Sequence, residues 1–239
     1  MQIKKTNKAK LKIKKNKVEK IYYDQERAKT EYNNYKKLHS IMKEIEYKNW
    51  SLKSPRIYCF NGNKLTMERA QGLSLSDLIN KGKPEAAYYA GIYLGLFHKN
   101  SCEGQLKKCI SYGDYNRTNI FVDFDSKTVW GIDPGDRFGQ KTYPELDLMK
   151  GLFSILIGEF RNKNYSFKNA RLFLKGYNNC FSSTSICKSF EYLYKVINES
   201  VTKNNKYFNS LISFALSIIM FLMYNLMILE IKLFNNKNY

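Results

Sequence analysis

The sequence predicts an α+β chain of two segregated lobes, and three observations carry that expectation. Short β-prone runs crowd the first 70 residues. Apolar residues at helical spacing dominate from residue 73 onward. The change of character falls at Gly72, which sets a reduced β-rich lobe over 1–71 against a mainly helical lobe over 72–239.

In chain order, residues 8–23 (KAKLKIKKNKVEKIYY) hold two strand-like runs, LKI and VEKIYY, around a Lys-Asn turn. From Gln25 to about Tyr47 a helix is expected. That stretch has no Gly or Pro, and Ala28, Tyr32, Tyr35, Leu38, Ile41 and Met42 recur at helical spacing. Pro55 breaks the helical pattern. RIYCF and KLTMER, separated by Asn-Gly-Asn, then predict a hairpin. Beyond Gly72, LSLSDLIN and PEAAYYAGIYLGLFHKN read as helices, the second opened by Pro84 and Glu85. IFVDFD and KTVWGID predict a tight strand pair around Asp125-Ser126. From Pro144 the pattern is helical again, with interruptions near Asn162, Asn178 and Asn204. No internal repeat is visible.

Leu211–Leu229 is a run of nineteen uncharged residues. Its length meets the lower range for a membrane span. Ser213, Ser217 and Tyr224 nevertheless project onto one helical face, as in a buried helix of the large lobe. A buried terminal helix over 207–235 is therefore expected, with a segment lying on or in a membrane as the alternative.

Composition narrows the function. Of 239 residues, 44% are hydrophobic, which is enough to build a core and excludes wholesale disorder. The net charge of +19 favours anionic partners, although abundant Lys, Asn, Tyr and Ile also fit a simple compositional bias. The first twenty residues carry nine Lys and no apolar stretch, so no secretory signal is read there. The five cysteines form an odd set with no CxxC pair, so a disulfide framework is not expected and a reducing cytoplasm is. His98, Cys102 and Cys109 match no familiar zinc spacing. GxSxG, HExxH, GxxxxGK[ST] and GxGxxG do not occur, which leaves several hydrolase and nucleotide-binding classes without support.

The chemistry concentrates between Tyr112 and Asp136, YGDYNRTNIFVDFDSKTVWGIDPGD. Asp114 and Asn119 lie five apart in a polar loop that leads into a strand, and Asp133 comes after the strand pair. A loop carboxylate can accept a hydroxyl proton, while an amide oxygen and a second carboxylate suit Mg²⁺, a hard cation. Phosphoryl transfer needs little more than such positioning and charge neutralisation.

These segments resemble the kinase-like phosphotransferases: aminoglycoside phosphotransferases, choline and fructosamine kinases, and bacterial lipopolysaccharide-core kinases. Their catalytic loop reads HGDxxxxN and their metal aspartate sits in I-D-x-G-D; here the segments are Y-G-D-Y-N-R-T-N and I-D-P-G-D. The resemblance implies a two-lobed protein-kinase-like fold, with ATP and Mg²⁺ as cofactors. It makes Asp114 the catalytic base, Asn119 a metal ligand and Asp133 the main metal ligand. It also implies that Lys20, in VEKIYY, grips the α- and β-phosphates and pairs with Glu31, with Lys17 as the runner-up lysine. LTMERAQG resembles the hinge, whose Glu68 carbonyl and Ala70 amide would meet the adenine edge. Asp147, in YPELDL, would brace the catalytic loop, or else simply sit at a helix N-terminus. Arg117 is a candidate for neutralising the transferred phosphoryl, or a surface arginine.

Two departures stand out. Tyr112 occupies the place of the usual histidine, and no glycine precedes Gly62, so a phosphate-covering Gly-rich loop is missing or degenerate. About seven residues precede the first clear strand. The expected activity is transfer of the γ-phosphate of ATP to a hydroxyl of a sugar or other small molecule, with a lipopolysaccharide or surface-glycan precursor as the leading acceptor. The ten residues between Asp133 and Pro144 are too few for a long activation loop. A small atypical protein kinase and a pseudokinase scaffold remain the alternatives. Peripheral association with the inner membrane face is a further expectation; no specific nucleic-acid partner is predicted, and the oligomeric state is left open.

Overall fold

Asp24 starts the helix that organises the first half of the chain: its side chain accepts the Glu26 amide at 2.8 Å, an N-cap of the ordinary kind. In the computed structural model, residues 2–102, 108–161 and 168–181 are described. Residues 182–239, including the apolar run 211–229 and the terminal helix expected over 207–235, lie outside them. The described elements all belong to one compact unit, Met1–Ser183. Among them no helix is long and apolar enough to cross a membrane.

The chain opens with β1 (Gln2–Lys5), β2 (Ala9–Ile13) and β3 (Lys17–Tyr22), followed by α1 (Gln25–Ile41). It continues through β4 (Ile45–Tyr47), β5 (Trp50–Lys53), β6 (Ile57–Asn61) and β7 (Lys64–Glu68) to β8 (Leu73–Ser74). Next come α2 (Leu75–Asn80), α3 (Glu85–Ser101), β9 (Cys109–Ile110), β10 (Ile120–Asp123), β11 (Thr128–Gly131) and β12 (Lys141–Thr142). α4 (Glu145–Arg161) and α5 (Lys168–Cys180) complete the described elements.

An antiparallel sheet in the order β1-β2-β3-β7-β6 packs against α1. Ala9, Tyr22, Leu65 and Met67 from the sheet meet Ala28 and Tyr35 from the helix in one buried cluster, with Tyr32 stacked on Phe60 at its margin. A second sheet runs β4-β5-β11-β10-β8, with β5 parallel to β11 and the other pairs antiparallel. It fastens residues 45–53 and 73–74 to the hairpin that leads into Asp133. β12 and β9 form a small third pair.

The sequence reading needs four corrections here. The first helix stops at Ile41 rather than continuing to Tyr47, because Glu44 and Lys48 both take positive φ (57° each) and turn the chain into the β4–β5 hairpin. A strand, β1, precedes the first expected one, and its alternation is masked by lysines on an exposed edge. α5 runs through Asn178 to Cys180 without interruption. Cys102 and Cys109 are joined in a disulfide: α3 ends at Ser101, and β9 returns beside that end. Cys59 and Cys180 are free.

The helical core is aromatic. Tyr93, Phe97, Tyr112, Tyr115, Phe173 and Tyr177 are all fully buried, and the Tyr115 hydroxyl donates to the Ala90 carbonyl at 2.6 Å. α3 and α5 approach backbone to backbone. A Cβ on Gly91 would run into the Phe173 carbonyl, and one on Gly176 into the Tyr88 carbonyl.

This close approach decides the sign of a substitution. On an open helix face Gly→Ala gains about 1 kcal/mol from propensity. At Gly91 the added methyl must instead separate two helices, at a cost of about 1–3 kcal/mol net of that gain. Gly91→Ala should therefore lower the urea midpoint, and an equal or higher midpoint would contradict the packing described.

Candidate active site

Lys20 sits on the central strand of the first sheet, opposite Leu11 on β2 and Leu65 on β7. Its ammonium is the meeting point of two carboxylates, with Nζ 2.5 Å from Glu31 Oε1 and 2.7 Å from Asp133 Oδ1. Lys17, by contrast, is exposed. Burial disfavours the charged lysine, but the electrostatic influence of Tyr35, Asp133 and Glu31 prevails, and the pKa stands well above the ordinary lysine value. Asp133 shows the reciprocal effect. Burial works against its carboxylate, yet Lys20, aided by Lys8 and Arg27, holds the pKa below the usual range.

One stripe of α1 serves this segment at successive turns. Arg27 Nη2 donates to both oxygens of Asp136 (3.0 and 3.1 Å), Glu31 holds Lys20, and the Tyr35 hydroxyl accepts the Asp133 amide at 2.9 Å. The spacing i, i+4, i+8 puts all three side chains on one helix face. Asp133 itself adopts φ 54°, an uncommon conformation for a residue other than glycine, and the Tyr35 contact lies at that residue's own amide. Sequence reasoning misses Arg27, Tyr35 and Asp136 as site residues. Tyr35 reads as a core residue there, and only its place one turn beyond Glu31 hints at more.

The loop 111–119 is held from beneath by Asp147, fully buried in the first turn of α4. Its carboxylate accepts the Tyr112 amide (2.6 Å), the Gly113 amide (3.3 Å) and the Ser111 hydroxyl (3.1 Å). Of the two readings of Asp147, the brace is the one seen. His98 Nε2 lies 3.5 Å from the same carboxylate and its Nδ1 3.0 Å from the Tyr177 hydroxyl, so this imidazole faces a structural cluster. Among the described residues no group of His, Cys, Asp and Glu is arranged to hold a metal by itself. Lys150 Nζ donates to the Gly113 carbonyl at 2.5 Å.

Tyr112, in the histidine's place, bridges the two motifs: its hydroxyl donates to the Ile132 carbonyl at 2.9 Å. The Ile132 amide bonds the Asn119 carbonyl (2.9 Å) and the Gly135 amide bonds the Tyr112 carbonyl (3.1 Å). The two segments lie so close that a Cβ on Gly135 would stand 2.6 Å from the Asp114 amide nitrogen. The glycines of both motifs are explained by this contact.

Asp114 is exposed, and its Oδ2 accepts Asn119 Nδ2 at 3.1 Å while Oδ1 accepts Asn116 Nδ2 at 2.9 Å. The Asn119 amide group also donates to the Asp114 carbonyl at 3.0 Å, which fixes the loop's curvature. Arg117 turns elsewhere: its guanidinium packs on α4 at Gly158, and its amide donates to Ser154 Oγ at 2.9 Å. A role at the transferred phosphoryl is set aside for that reason. Glu68 ends β7, with its amide on the Arg56 carbonyl (2.8 Å) and its carboxylate 3.3 Å from Arg56 Nε. Ala70 lies two residues on, in the link to Gly72.

No known sequence family's profile matches this chain, and no curated protein matches it in sequence. Solved structures do. The streptomycin–ATP–APH(2")-IIa ternary complex superposes with a TM-score of 0.55 at 11% identity, covering 91% of each chain. Aminoglycoside phosphotransferase APH(2'')-Ib with ADP bound gives a TM-score of 0.55 at 10% identity over 88% of each chain. The gentamicin–APH(2")-IIa complex gives 0.55 at 11% identity, covering 82% of this chain and 80% of that one.

The Lys20–Asp133 pair has a measurable pH signature. A carboxyl with a depressed folded pKa contributes stability that is present above its unfolded value, about 3.9, and lost as the pH falls through the folded value. Asp133→Asn should melt below wild type at pH 7, and the deficit should shrink as both are acidified to about pH 3. A deficit constant over that range would separate Asp133 from the pairing.

The chain, an α+β molecule of twelve described strands and five described helices, thus has the two-lobed, protein-kinase-like fold of the aminoglycoside phosphotransferases.

Proposed function

We propose that this protein is an ATP- and Mg²⁺-dependent phosphotransferase that moves the γ-phosphate to a hydroxyl of a sugar or other small molecule. Residues 1–71 form its nucleotide lobe and residues 72–239 its catalytic lobe. The observation that carries the reading is the Lys20 ammonium shared between Glu31 and Asp133 within this fold. Solved neighbours of the same fold were captured with ATP, with ADP and with streptomycin or gentamicin, which supports a nucleotide and a small polar acceptor as the ligands. A surface-glycan precursor is the first acceptor to test.

In this reading the Glu68 carbonyl and Ala70 amide receive the adenine edge, and Lys20, oriented by Glu31, holds the α- and β-phosphates. Asp114 is the base. It accepts the acceptor's hydroxyl proton as the oxygen attacks the γ-phosphorus and the bond to the β-phosphate oxygen breaks, leaving ADP. Its exposure suits a group that must meet an incoming substrate, and Asn119 and Asn116 hold it in orientation. Asn119 and Asp133 offer the hard oxygen donors that suit Mg²⁺, and they would hold it. Once bound, the cation neutralises polyphosphate charge. Tyr112 in the histidine position is compatible with turnover, because its visible task is structural.

The variants divide the roles. Asp133→Ala should abolish metal-dependent nucleotide binding, whereas Asp114→Ala should keep binding and lose turnover by about 10²–10⁴-fold. Both are read from ADP release and nucleotide titration. Wild-type activity in both variants would sink the assignment.

A second comparison isolates the lysine. Lys20→Met should lower kcat/KM for ATP by at least about tenfold through loss of a charge-assisted contact, and Lys17→Met should stay within about twofold. Equal effects would remove Lys20 from the site.

A further inference from the structure

Resting on that reading of the nucleotide site, the geometry points to Lys8 and Arg27 as side-chain phosphate-positioning residues that stand in for the absent Gly-rich loop, with Asp136 as their partner when no nucleotide is bound.

The turn between β1 and β2 is where a chain of this fold would drape backbone over a polyphosphate. Here the backbone is already committed. Thr6 Oγ1 accepts the amides of Lys8 (3.2 Å) and Ala9 (3.0 Å), and it donates to the Ala9 carbonyl at 3.0 Å. The Thr6 amide donates to the Ala9 carbonyl at 2.9 Å, and the Lys8 carbonyl accepts the Tyr23 amide at 3.2 Å. The turn is a closed structure pinned to the end of β3, with the Lys8 and Ala9 amides turned inward. These two amides therefore cannot form a backbone cradle of the kind glycines provide. What the turn does offer is the Lys8 side chain.

That side chain spans from the turn to the segment after Asp133, with Nζ 3.5 Å from Asp136 Oδ2. Arg27 reaches the same carboxylate from α1. It lies one turn before Glu31, on the face that serves Lys20. Two cations from different elements thus converge on one carboxylate three residues from Asp133. Both also contribute to holding the Asp133 pKa down, so their influence extends to that carboxylate.

The pairing is built to be exchanged. The Asp136 side chain is 76% exposed and that of Lys8 53%. Ion pairs this open contribute little to stability and are screened by salt. A polyphosphate offers the same cations more charge and more acceptor oxygens, and arginine in particular suits phosphate geometry.

The test compares Mg·ATP with adenosine as calorimetric ligands of the full-length chain. Lys8→Ala and Arg27→Ala should each weaken Mg·ATP by about tenfold and leave adenosine within about twofold, with unchanged melting temperatures in the absence of ligand. Asp136→Asn, which removes the competing carboxylate, should tighten Mg·ATP severalfold. Variants that bind Mg·ATP within about twofold of wild type would overturn the assignment, as would parallel losses for adenosine and Mg·ATP. Failure of the wild-type chain to bind either ligand would instead bring down the nucleotide site itself, and the two phosphate-positioning residues with it.

Discussion

A single ammonium shared by two carboxylates organises this molecule. Lys20 belongs to β3, Glu31 to the next element, α1, and Asp133 to the segment after β11, 113 residues from Lys20, so two neighbouring elements and one distant segment meet at one charge. Taking one such group away would leave the others partly buried and unbalanced, which costs more than the intact arrangement contributes. The three therefore constrain one another's backbones. β3 must run centrally to aim Lys20, and α1 must start near Asp24 for Glu31 to face the sheet. Asp133, at positive φ, meets the same helix through Tyr35 at its own amide. The stripe Arg27–Glu31–Tyr35 makes the helix an edge along which the segment 133–136 is aligned.

The loop bearing Asp114 depends on a second buried charge, and the two are linked. Asp147 gathers the Tyr112 and Gly113 amides and the Ser111 hydroxyl, so its desolvation is offset by directed hydrogen bonds. From that base, Tyr112 reaches the Ile132 carbonyl, next to Asp133. A histidine could make a comparable bond. Tyrosine also fills the aromatic core between Phe97, Phe138 and Tyr115, where its raised pKa reflects burial. The replacement is thus coherent with a tyrosine-rich interior, and it keeps the two motifs in contact at the Gly113–Gly135 approach.

Much of this was legible in the sequence, and the limits are physical. The two motifs were readable through their resemblance to the HGDxxxxN and I-D-x-G-D segments of the kinase-like phosphotransferases. The Asn-Gly-Asn hairpin and the helix 85–101 were readable because turn residues and periodicity are local signals. β4 and β5 were not. Glu44 and Lys48, neither of them a glycine, take positive φ, a single Asn49 is the only turn residue between the strands, and β5 is stabilised by parallel pairing with a strand 77 residues away. The Cys102–Cys109 bond was missed because a short return beside a helix end leaves no composition mark. Arg27, Tyr35 and Asp136 carry no motif, and their meaning comes from the crossing of α1 over the segment after β11.

The charge pattern of the site ties the proposed cofactors together. Without ligand, Lys8, Lys20 and Arg27 face Glu31, Asp133 and Asp136, so the formal charges cancel. A chain of net charge +19 thus surrounds Lys20 with a locally balanced set of ion pairs. Nucleotide alone would bring several negative charges beside three carboxylates. The three cations could not serve both, because each is already paired. In the proposed reaction a divalent cation, which Asn119 and Asp133 would hold, would offset that conflict and leave Lys8, Lys20 and Arg27 to meet phosphate. On the proposed reading, the carboxylates around Lys20 favour a nucleotide that arrives with a divalent cation, and the metal and the nucleotide should bind as a single species.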